Sequence, residues 1–153
     1  MKRISGSSDC RILTAAVVAF AASAGSVTAE PAVNACPVDG CQIHFVSVEK
    51  ADGELRLTLE ANFKPDMSKN HIHVWWGDNF DVKQVSNNAE TLYGVKRGVW
   101  HPTDEYPVYV TQSGASMKER RNATTLCVSA GDRNHDIIDP ALFECRSVAD
   151  LVK

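Results

Sequence analysis

The run Leu55-Arg56-Leu57-Thr58-Leu59-Glu60-Ala61-Asn62-Phe63 alternates apolar and polar side chains without a break. A period of two is the mark of a β-strand, whose successive side chains point to opposite faces. Leu55, Leu57, Leu59, Ala61 and Phe63 therefore share a buried face, and Arg56, Thr58, Glu60 and Asn62 a wet one. A helix would spread these apolar residues around its circumference and leave no single stripe to bury. Just upstream, Ala51-Asp52-Gly53-Glu54 has the chemistry of a hairpin turn. Before that turn, the stretch from Gln42 to Glu49 alternates again, with Ile43 and Phe45 on one side and His44, Val46 and Val48 on the other.

Downstream, residues 64–70 are polar, contain Pro65 and form a loop. Strand signals follow at residues 71–76, 82–85, 92–95, 106–111 and 124–130, with Pro107 placing residues 106–111 at a sheet edge. Asp139-Pro140 opens a short helical turn that runs through Cys145, since Asp caps and Pro is tolerated at the first helical position. About seven short strands without a long amphipathic helix predict an all-β fold, a single immunoglobulin-like β-sandwich. A small β-barrel is the alternative.

The N-terminal residues have a different character. Lys2, Arg3 and Arg11 precede an apolar run from Ile12 to Ala22, and Val27 and Ala29 sit at the small-residue positions of a cleavage site. This is the pattern of a bacterial signal peptide over residues 1–29, cut before Glu30. It leaves residues 30–153 as one domain and predicts a periplasmic or secreted location. The apolar run has 11 residues, against the ~20 that span a bilayer, and no membrane span is expected in the mature chain. Of 16 basic and 19 acidic residues, three and one lie in the leader, so the mature chain carries 13 and 18, a formal charge of −5. That balance argues against a nucleic-acid partner, which calls for concentrated positive charge.

Four cysteines follow the leader: Cys36, Cys41, Cys127 and Cys145. An even number in an exported domain favours two disulfides. Cys36–Cys41, across Pro37-Val38-Asp39-Gly40, and Cys127–Cys145 are the favoured pairs, with the crossed arrangements still open.

The stretch richest in chemistry is Asn70-His71-Ile72-His73-Val74-Trp75-Trp76-Gly77-Asp78. On a strand, Ile72, Val74 and Trp76 face the core, and His71, His73 and Trp75 face away from it. Two imidazoles side by side on one face suit zinc or copper, with a third ligand from His101, His135, His44 or a carboxylate. Trp75, sharing their face, is expected as an exposed ligand or partner surface. The same run is locally similar to copper,zinc superoxide dismutases, which carry an H-x-H strand followed by Gly-Asp-Asn. Aligned on Gly77, however, the ligand positions of that family fall on Ile72 and Val74, so the likeness stops short of membership.

A second candidate is Asp132, Asn134 and Asp136, whose D-x-N-x-D spacing matches the start of a calcium loop. Ile137 stands where an EF-hand needs Gly, and Glu144 lies one residue beyond the expected final ligand. No nucleophile elbow and no phosphate-cradling glycine loop is present. The sequence therefore points first to an exported, non-enzymatic binding module for a small ligand or another exported protein. A copper or zinc protein, or small metalloenzyme, built on His71 and His73 is the rival. A structural envelope protein is the third reading.

Overall fold

The computed structural model describes residues 36–153; the expected leader, residues 1–29, lies outside them. Strands β1 (Ile43–Ala51) and β2 (Glu54–Ala61) form the expected hairpin, and β5 (Val108–Val110) pairs with the far edge of β2. The second sheet has the order β4-β3-β6-β7, from β3 (His71–Trp76), β4 (His101–Thr103), β6 (Thr125–Gly131) and β7 (Phe143–Ser147). All pairings are antiparallel, and the two sheets stay separate rather than closing into a barrel. The three-plus-four division is that of an immunoglobulin-like sandwich in which β4 sits on the edge of the β3 sheet. Both favoured disulfides are formed, Cys36–Cys41 and Cys127–Cys145, the second joining paired positions on β6 and β7.

Leu55, Leu57 and Leu59 go inward together as the alternation predicts, and meet Ile72, Val74, Trp76, Leu126 and Val128 of the other sheet. Each such side chain contributes roughly 1.5–3 kcal/mol on burial, so this layer holds the sheets together. Strand β1 departs from simple alternation. Its register shifts between Phe45 and Ser47, a bulge that leaves Val46 exposed and turns Val48 towards the core. The extra residue of a bulge changes the face of everything after it.

Three expected local elements differ. Residues 82–85 form a 3-10 turn, Val82–Gln84, because Asp81 and Gln84 make a reciprocal capping box. Residues 92–95 are not a strand. Helix α1 (Ala89–Tyr93) ends at Gly94, whose φ of 66° closes the turn, and this local stop prevails over the β-propensity of Tyr93 and Val95. The turn at Asp139 does form, with its carboxylate accepting from the Ala141 amide at 2.8 Å, but it is brief. The chain is already in β7 at Phe143, so Cys145 lies on a strand rather than in a helical turn.

The segment between β3 and β4 positions the site. It folds back over the outer face of β3, where Val82, Val85, Phe80 and Trp100 pack with Trp75, Cys127 and Ile137 into a second, smaller core. Every residue of β3 is buried as a result.

Candidate metal centre

The imidazoles of His71 and His73 leave β3 on the same outward face, and both are 0% exposed. The third comes from the loop after β6. Gly131 pairs with His71 across the sheet, and four residues later His135 turns back over it with a left-handed φ of 60°. His71 Nε2 lies 3.2 Å from His73 Nε2 and 2.9 Å from His135 Nδ1. The three ligand-capable nitrogens all fall within 4.8 Å of one another. On a tetrahedral ion with metal–nitrogen bonds of ~2.0–2.1 Å, neighbouring nitrogens sit ~3.3 Å apart. The two short separations are close to that value.

Surrounding groups fix how these rings face. His73 Nδ1 hydrogen-bonds to the Val85 carbonyl at 2.8 Å. A carbonyl only accepts, so Nδ1 carries the proton and Nε2 presents a lone pair. The segment that supplies Val85 also holds the His135 loop. The His135 carbonyl accepts from the Asn87 amide, the Asn134 carbonyl from Asn87 Nδ2, and Asp136 Oδ1 from the Asn88 amide. Ser86 Oγ accepts from the Ile137 amide at 3.0 Å. One short stretch, residues 85–88, thus orients two of the three histidines, as outer-shell groups do in metal sites.

Gly131 is required by the same geometry. A β-carbon at this position would overlap His73 Nε2 and its neighbouring ring carbons. Trp100 packs its ring beside that of His73, with centroids 5.4 Å apart.

Burial makes the charged form of the two buried histidines costly. His71 is pushed down from 6.5 to about 4, first by burial and then by His135 beside it. His73 is pushed down to about 3, again chiefly by burial and then by His71. Both are neutral at pH 7 and have lone pairs to give. The Lys69 backbone favours a proton on His71, yet His71 Nδ1 makes no hydrogen bond of acceptable geometry.

The other predicted residues lie elsewhere. His101 is opposite Val74 and so points to the core side, where Nδ1 meets the Tyr109 hydroxyl at 2.7 Å. His44 is on the surface, 2.8 Å from Glu144. Trp75 is not an exposed surface: it is 1% exposed, with Nε1 donating to the Phe80 carbonyl at 3.0 Å. The folded-back segment covers it, which a reading of β3 alone does not foresee. In the D-x-N-x-D run, Asp132 Oδ1 accepts from the amides of Asn134 and Asp136 at 2.8 and 3.0 Å. Asp132 thereby shapes the loop that carries His135. Val85, Asn87, Gly131 and Trp100 carry no signal at the histidines in the sequence, because only the fold brings them there.

Comparison with known proteins found no matching family model, no matching curated protein and no matching solved structure.

Proposed function

We propose that this chain binds one transition-metal ion, zinc or copper, through His71 Nε2, His73 Nε2 and His135 Nδ1. The observation that carries the reading is a hydrogen-bonding conflict. His71 Nε2 faces two ring nitrogens at once, but a neutral imidazole nitrogen has either one proton or one lone pair. It makes at most one good hydrogen bond to them. One of those two ring nitrogens is therefore left without a hydrogen bond to His71, and unpaired buried polar groups are costly. A metal ion removes the conflict at Nε2 by taking all three lone pairs, with the His71 proton then on Nδ1. Imidazole donors suit zinc and copper, with copper(II) favoured in raw affinity.

The metal reading gains over a binding surface centred on Trp75, because that ring is buried. Export belongs to the same proposal. Two disulfides suit an oxidising compartment, and among the described residues no helix is long and apolar enough to cross a membrane.

Elemental analysis of protein purified without a histidine tag tests the reading. Near-equimolar zinc or copper is expected, with its loss in His73→Ala and in His135→Ala. The second variant alters a partly exposed loop residue, so it keeps its fold if the first does not. Wild-type protein that holds no metal and takes up neither added zinc nor added copper would sink the proposal.

A further inference from the structure

A cleft of about 320 Å³ opens beside the histidines, lined by Arg97, Gly98, Val99, Trp100, Pro102 and His135. His135 is the member of the triad that reaches its wall. Among the described residues no fourth His, Cys, Asp or Glu joins the three histidines. Three protein nitrogens leave a tetrahedral ion one position for a ligand from outside, which is the arrangement of catalytic rather than structural zinc sites.

The chemistry of the wall is one-sided. Val99, Trp100 and Pro102 supply apolar surface, and no lining side chain is an acid. Arg97 donates one N–H, from Nη1, to Asn87 Oδ1 at 3.1 Å. Among the described residues no carboxylate pairs with it. The indole N–H of Trp100 is buried without an acceptor. Arg97 therefore offers N–H donors and positive charge next to an apolar floor. A bound metal would add further positive charge at the His135 end.

We propose that this cleft admits a small carboxylate with an apolar body, such as an aromatic acid. One carboxylate oxygen takes the open metal position as water leaves, Arg97 faces the other oxygen, and Trp100 covers the apolar part. A planar guanidinium is suited to that geometry. The proposal rests on the metal reading above.

Cobalt(II) in place of the native ion gives visible bands that report its ligands directly. Benzoate titrated into the fully loaded protein is expected to shift those bands saturably, and more tightly than acetate. Benzamide, which has no charge, is expected to leave them unchanged. Arg97→Gln should weaken benzoate on the order of tenfold or more, the loss of one charge-assisted hydrogen bond. Trp100→Leu should erase the advantage of benzoate over acetate. Full cobalt loading with bands that benzoate does not move would overturn this inference alone, as would benzoate binding indifferent to Arg97→Gln. Failure of zinc, copper and cobalt alike to load would overturn the metal reading and this one with it.

Discussion

Strands β2 and β3 each bury one face against the other sheet, and they differ in what happens to the opposite face. On β2 that face carries Arg56, Thr58 and Glu60, with the two charged residues exposed to solvent. On β3 it carries His71, His73 and Trp75, none of them more than 1% exposed. Water satisfies the polar groups of β2, so their identity is constrained only loosely. The imidazoles of β3 have no water to turn to, and a buried polar group must find a partner in the protein or in a bound ion. Polarity on an open sheet face reports solvent, whereas polarity on a covered face reports chemistry.

The comparison breaks most visibly at Trp76, on the shared core face of β3. Trp76→Ala should cost about 3–5 kcal/mol, read as a lower midpoint in urea unfolding, because the ring is 1% exposed and its Nε1 donates to the Ser116 carbonyl. A loss under ~1 kcal/mol would mean that the inter-sheet layer is not the main source of stability.

Acid sharpens the contrast next. Imidazoles in the unfolded chain titrate near 6.5, while His71 and His73 in the metal-free folded protein titrate near 4 and 3. Between those values the unfolded chain binds more protons, so stability present above pH 6.5 is lost as the pH falls towards 4. The loss should reach a few kcal/mol, measured as the urea midpoint of chelator-treated protein between pH 7 and 4.5. A flat midpoint over that range would show that the two rings are not buried as neutral groups.

Gly131→Ala probes the covered face without replacing a ligand. The added methyl displaces the His73 ring, and metal affinity is expected to fall on the order of 10–100-fold, as when a supporting group is lost. Competition with a chromogenic chelator measures it, and unchanged affinity would show that the ring is free to shift. The smallest effect belongs to the wet face of β2. Glu60→Ala should change stability by less than ~0.5 kcal/mol, since Glu60 is exposed. A larger loss would mean that this face, too, is engaged.

Legibility followed the same division. Leu55, Leu57 and Leu59 were readable because one wet face leaves a clean alternation, and the His71–His73 pair because strand spacing alone puts them side by side. The third histidine was not readable. His101, His135 and His44 are equivalent as residue types, and choosing among them depends on register. Pairing of His101 with Val74 sends it to the core side, and pairing of Gly131 with His71 brings the His135 loop back over the site. At residues 82–85 and 92–95, the cap at Asp81 and the stop at Gly94 overrode β-propensity.

The chain by itself determined the alternating strands, the hairpin at Asp52-Gly53, four cysteines suited to disulfides and two imidazoles on one face. All are local, because backbone geometry sets them within a few residues. Tertiary structure decided which histidine completes the triad, 64 positions from His71, that residues 77–100 bury Trp75, and that Arg97 and Trp100 border the site. Contacts at that separation arise from strand register and from how a long connection folds back, and neither is written in the spacing of neighbouring residues.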